Sequence, residues 1–218
     1  MKKIGVFGSS SSAIDQSYFD AAAELGRLIA ENGWELVFGA GDMGVMGHTA
    51  RGVQAAGGKM TGVIPEFMNI PGIPFEACDE MIIKETMRER KQVMEDLSDA
   101  FIVAAGGFGT FEELCEVVTL KQLLRHNKPI IILNTNRFFD ELIAMFEKAV
   151  EQRFAKKESL TVYTVVDTPQ QAIDAIKNYR YQETGSKWFT PESPNRNGTQ
   201  DNWGVLCRQR KLKCANFQ

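Results

Sequence analysis

Seven short apolar runs punctuate the chain: IGVFG, ELVFGAG, MTGVIP, EMIIKE, AFIVAA, PIIILN and TVYTVV. Each precedes a polar or glycine-rich break. Between them, apolar positions recur every three or four residues, which predicts helices near residues 16–31, 47–57, 87–98, 111–126, 138–152 and 169–179. Asn32-Gly33, Gly57-Gly58 and Pro129 supply stops between these segments. Short apolar runs alternating with amphipathic helices predict an α/β fold, a parallel sheet with helices on both faces. Right-handed crossovers bring the loops after the strands to one edge of such a sheet, and ligands bind there where strand order reverses. Chemistry is therefore expected in the loops after IGVFG, ELVFGAG, MTGVIP and AFIVAA.

The pattern stops near residue 180. Residues 181–218 are polar, rich in turn formers and without period, so 1–180 is expected to form a single domain and 181–218 a disordered extension. The RQRKLK run within it reads as part of a mobile tail rather than a recognition patch.

Composition narrows the partner. At 218 residues there is room for one sizeable core. Charged residues make up 24% of the chain and the formal net charge is −3, which gives no electrostatic case for nucleic acid or an anionic membrane. A small-molecule partner fits better. No apolar stretch reaches the length of a membrane span, and the run after the two N-terminal lysines is too short for a signal segment, so a cytoplasmic location is expected. Cys78, Cys115, Cys207 and Cys214, with His48 and His126, make neither a disulfide framework nor a zinc spacing. No metal is expected, and Cys115 reads as a small buried hydrophobe.

Candidate chemistry concentrates in three segments. GGFGT places Gly106, Gly107, Gly109 and Thr110 before a helical pattern. Glycines there allow close backbone approach, and a helix start offers unpaired N–H groups to a phosphate. FGAGDMGVMG, residues 38–47, is a second glycine-rich helix entrance containing Gly41, and Ser9 to Ser12 add hydroxyls nearby. Two such entrances suit two parts of one nucleoside monophosphate. The first strand lacks G-x-G-x-x-G and no Walker lysine follows a glycine loop, so NAD and ATP lose ground and no cofactor is expected. In ETMRERKQVMEDLSDA, Met87, Met94 and Leu97 make one apolar stripe with Arg90 among them. A guanidinium on a core-facing stripe needs an anionic partner, and Lys91 can reach round to a ligand. Glu113 shares a helical face with Val117, Leu120 and Leu124, whereas Glu112 aligns with Glu116 and Thr119 on the wetter side. A carboxylate on an apolar face costs stability unless paired, so Glu113 is the candidate for inward chemistry.

These residues carry a resemblance. GGFGTFEE resembles the PGGxGTxxE motif and MRERK the MHERK-like motif of the LONELY GUY family, the cytokinin-activating nucleoside 5′-monophosphate phosphoribohydrolases often labelled lysine decarboxylase-like. FGAGDMGVMG and GVIP match in the same order, over residues 4 to about 165. The resemblance implies a Rossmann-like doubly wound sheet and hydrolysis of the N-glycosidic bond of AMP or prenylated AMP. It assigns the catalytic pair to Glu113 and Arg90, phosphate binding to Gly106, Gly107, Gly109 and Thr110, and to Lys91 the place of the lysine beside the catalytic arginine; the reading of the loops themselves adds Gly41 and Ser9 as substrate-binding candidates. It also implies a homodimer or an assembly of dimers. Ala105, Arg88 and Ala40 depart from the motifs at a proline, a histidine and a glycine, and base specificity is the property those departures touch. Three other classes stand beside this one. They are a pyridoxal phosphate-dependent lysine decarboxylase, for which no suited lysine loop is found; a non-catalytic carrier of a nucleotide or of molybdenum cofactor; and a nucleic-acid module using the tail.

Overall fold

Seven parallel strands form one sheet in the order β4-β3-β2-β1-β5-β6-β7 in the computed structural model, which describes residues 1–181. The strands are β1 (Lys3–Phe7), β2 (Glu35–Phe38), β3 (Lys59–Pro65), β4 (Glu80–Lys84), β5 (Ala100–Val103), β6 (Ile130–Leu133) and β7 (Thr164–Val166). The helices are α1 (Gln16–Glu31), α2 (Gly44–Ala55), α3 (Met87–Leu97), α4 (Phe108–Gln122), α5 (Asp140–Glu151) and α6 (Pro169–Asn178). Apart from Tyr181, the expected C-terminal extension and its basic run lie outside the described residues.

Alternation along the central strands divides the core into two layers. Ile4, Val6, Leu36, Phe38 and Ile102 face α1, α2 and α6, while Phe7, Val37, Val63, Phe101 and Val103 face α3 and α4. Both faces are covered, which is why these runs read as continuously apolar. The chain winds outward from β1 through β2, β3 and β4, then returns to place β5 on the other side of β1, with Gly5 opposite Phe101. The switch point is thus between β1 and β5, and there the Ser9 amide donates to Ala105 O at 3.0 Å.

Several boundaries differ from expectation. The helix expected from residue 111 begins at Phe108, because Gly107 caps it with an extended backbone and no side chain announces the start. The helix expected from residue 47 begins at Gly44, because its N-cap, Met43, has an extended backbone and makes no side-chain cap bond. Of TVYTVV, only Thr164–Val166 pairs with β6; Thr161 closes a 3-10 turn and Val162 plugs the core. Cys115, expected to be buried, is exposed, since α4 buries Thr110, Leu114, Val117 and Lys121 and position 115 falls off that stripe. No described helix is long and apolar enough to cross a membrane.

Candidate active site

Four loops at the carboxyl ends of β1, β2, β3 and β5 and the first turn of α3 enclose a cleft of about 400 Å³. Its lining includes Gly8 to Ser11, Gly39, Met46, Pro65, Met68, Met87, Arg90, Lys91, Gly107 to Thr110, Glu112 and Glu113. All four loops singled out by the strand pattern contribute to it.

The floor at one end is the start of α4. Gly107 makes no side-chain cap bond, so the N–H groups of the first turn, from Phe108 to Thr110, have no intrahelical partner. No acidic residue occupies that turn. Glu112 and Glu113 fall in the second turn, so complementing the helix dipole does not account for them. An anion is well received at this end. Thr110 is buried, and Gly106 stands behind the wall, where any side chain would overlap that of Thr110. The second glycine-rich entrance is not open in the same way. Gly44 has φ of 65° and stacks on the backbone of Ser9, Ser10 and Ser11, and the Met46 amide donates to Ser9 O at 3.2 Å. Gly41 lies off the cleft, its backbone bridging Pro74, and Gly39 takes the place expected for it. Ser9 does line the cleft, where its hydroxyl accepts from the Ser11 amide at 2.9 Å.

One turn further along α4 stands an ion pair. Thr86 and Glu89 form a reciprocal capping box that fixes the start of α3, and this presents Arg90 and Lys91 inward. Arg90 donates through Nη1 to Glu113 Oε1 and through Nε to Val63 O at 3.2 Å. Arg90 is 7% exposed, and the Glu113 side chain 11%. Burial pushes the Glu113 carboxyl above the ordinary carboxylate range, and the charge and hydrogen bond of Arg90 oppose that rise without cancelling it.

Lys91 was expected to reach toward a ligand. It lines the cleft but is anchored at 2.7 Å to Glu112 Oε1 and at 2.7 Å to Glu116 Oε2. Burial pulls the Lys91 ammonium down, and the two carboxylates more than offset it, so its pKa ends above the ordinary value. Glu112 is on the wetter side as expected, yet it holds Lys91. Sequence periodicity missed this because the contact crosses from α3 to α4.

The cleft does not fit pyridoxal phosphate. Lys91 is the lysine among its lining residues, and an ammonium clamped by two carboxylates is not the free amine a Schiff base requires. Among the described residues no group of three His, Cys, Asp or Glu is placed to hold a metal ion. The remaining wall, with Met46, Pro65, Met68 and Met87, is apolar and adaptable and suits a flat or branched apolar group.

Residues 46–176 match the family described as "possible lysine decarboxylase". The chain is 36% identical over 178 residues to cytokinin riboside 5′-monophosphate phosphoribohydrolase LOG2 of Arabidopsis thaliana, covering 82% of this chain and 84% of that one. The chain belongs to the LONELY GUY (LOG) family. Another LOG relative, cytokinin riboside 5′-monophosphate phosphoribohydrolase LOG of Oryza sativa subsp. japonica, is 34% identical over 188 residues, covering 86% of this chain and 78% of that one. Among solved structures, the molybdenum cofactor carrier protein of Chlamydomonas reinhardtii shares the LOG fold with a TM-score of 0.63 and 26% identity, over 81% of this chain and 96% of that one.

Proposed function

We propose that the protein is a nucleoside 5′-monophosphate phosphoribohydrolase, cleaving AMP or N6-modified AMP to the free base and ribose 5-phosphate. The observation that carries this reading is the buried Arg90–Glu113 pair beside an uncapped helix start. The activity named for the LOG relatives supports it.

The substrate phosphate sits on the Gly107 to Thr110 amides, which brings the ribose toward Glu113. As the C1′–N bond breaks, its electron pair leaves with the base and positive charge builds on the ribose ring. The Glu113 carboxylate faces that charge and orients a water whose oxygen bonds to C1′, while a proton ends on the departing base. Arg90 holds the carboxylate in place and supplies part of the charge that keeps it ionised. Lys91 adds positive potential, and the methionine wall receives the base.

We take the working state to be a homodimer in the cytoplasm. α5 has no fully buried residue, and Met145 and Phe154 are 60% and 86% exposed, an apolar surface of the kind a second copy covers. Sedimentation at micromolar concentration tests the dimer.

Incubation of the protein with AMP, N6-prenylated AMP, and the matching nucleosides and triphosphates, with chromatographic detection of free base, tests the activity. Monophosphates alone are expected to react. Tight binding of a nucleotide or of molybdenum cofactor with no base released favours the carrier reading, which the fold shared with the Chlamydomonas protein supports.

A further inference from the structure

Arg90 is held from three sides, and one of them is a glycine that its backbone does not require. The register of β2 on β3 pairs Phe38 with Gly62, which sets Gly39 beside Val63, the residue whose carbonyl accepts from Arg90 Nε at 3.2 Å. The guanidinium lies across that strand end. A methyl built on Gly39 would overlap Arg90 Nη2 and sit 3.2 Å from Arg90 Cζ and 3.1 Å from Met46 Sδ. Gly39 is absent from the positive-φ residues, unlike Gly44, so an alanine suits its backbone and only the space above it is restricted.

We propose that Gly39 is a positioning residue for the hydrolytic site: its missing side chain is the seat of the Arg90 guanidinium, and through Arg90 it sets the position and ionisation of Glu113. This rests on the reading of the cleft as a nucleotide hydrolase and deepens it.

The seat acts by geometry. With Nε fixed on Val63 O and Nη1 on Glu113, the guanidinium plane has one orientation that satisfies both, and that plane passes over Gly39. A methyl there lifts the plane, so one of the two bonds must lengthen. The Val63 bond carries charge on its donor alone, and the Glu113 bond carries charge on both partners. Either loss moves the carboxylate relative to the ribose. The clash is with the end of a flexible side chain rather than with backbone, so the fold survives the substitution. The charges facing Glu113 are those of Arg90, Lys91 and Glu112, and only Arg90 is displaced.

A double-mutant cycle decides the matter, using Gly39→Ala, Arg90→Ala and the double variant in the full-length protein. Turnover of AMP and prenylated AMP, the thermal midpoint and the carboxyl titration of Glu113 by NMR in ligand-free protein are measured for each. Gly39→Ala is expected to lower kcat about 100-fold, the scale of a misplacement of roughly 1 Å, with KM little changed. Its Glu113 carboxyl titrates higher than in wild type. In the Arg90→Ala background the same substitution changes neither quantity. Wild-type kcat and titration in Gly39→Ala, or an equal effect in both backgrounds, overturns the proposal. If Gly39→Ala fails to fold, recovery of the thermal midpoint in the double variant supports the seat, and an equally unstable double variant overturns it. If the wild type releases no base from any monophosphate, the hydrolase reading fails, while the titration of Glu113 still decides what Gly39 does.

Discussion

Arg90 on α3 donates to Glu113 on α4, so the pair that carries the proposed chemistry also ties together two helices on one face of the sheet. The pair is nearly out of solvent, with its remaining guanidinium bond made to a strand carbonyl. A buried charge held on both sides is costly to break from either side.

Glu113→Gln keeps an acceptor for Arg90 and the shape of the side chain, so the fold is expected to persist. Base release should fall about 10²- to 10⁴-fold, the range for losing one positioned acid or base. Arg90→Ala removes the charge that opposes the upward push of burial, so the acid limb of the pH–rate profile moves to higher pH. Steady-state kinetics across pH on both variants checks the pair; unchanged rates would remove Glu113 and Arg90 from the mechanism.

Lys91 bridges Glu112 and Glu116 within the cleft wall. Lys91→Met keeps the length but not the charge, and it leaves two carboxylates facing an anionic substrate. KM for AMP is expected to rise about tenfold, corresponding to loss of one charge-assisted interaction of about 1.5 kcal/mol. A kcat change without a KM change would show that Lys91 acts on the chemical step instead.

Glu95 sits near Glu116 and Lys91, and burial followed by the Glu116 charge pushes its carboxyl from the ordinary 4.5 up to about 7. Because the folded value is the higher one, the folded state binds the proton more tightly. That contribution to stability is fully present below 4.5 and is lost as pH rises through about 7. Glu95→Gln should therefore flatten the fall in thermal midpoint across this window and raise it above the wild type at higher pH. Parallel melting curves at all pH values would show that Glu95 does not titrate there.

Gly44 combines a left-handed backbone with contact against the Ser9 to Ser11 backbone. Gly44→Ala is expected to cost about 1–3 kcal/mol from backbone strain, with the overlap added. For a chain of this size that lowers the thermal midpoint by roughly 2–12 °C. The serine loop moves away from α2, so substrate affinity falls as well. Calorimetry together with KM checks both, and an unaltered midpoint would contradict the backbone geometry.

The sheet was legible because its strands are apolar on both faces and end at recognisable breaks. The stripe bearing Arg90 was legible for a related reason, since Met94 is fully buried and Met87 and Leu97 are partly so. Helix starts were harder. α4 opens on Gly107, and a glycine cap looks the same in sequence as a loop that continues. The face drawn through Glu113, Val117, Leu120 and Leu124 held only as far as the helix does, for Leu124 lies past its end with φ of 58° and is exposed. Lys121 escaped notice because nothing in a sequence marks a lysine as buried. It lies 4% exposed over the Tyr179 ring, and burial brings its pKa down to about 8. Gly39 and Gly41 sit in one glycine-rich loop and look alike in sequence, and only the path of Arg90 across the strand end distinguishes them.

The open start of α4 bears on the order of events after bond cleavage. In the proposed site, only ribose 5-phosphate of the two products carries the group that would complete that helix turn, whereas the base would rest against the apolar wall of Met46, Pro65, Met68 and Met87. Under the proposed reaction the base departs first and the sugar phosphate last. Ribose 5-phosphate should then inhibit competitively against AMP and the free base should not, and inhibition by the base alone would reverse that order. On the proposed reading, the turn that recruits the substrate would also be the brake on turnover, and accumulated sugar phosphate would slow hydrolysis without any separate regulatory site.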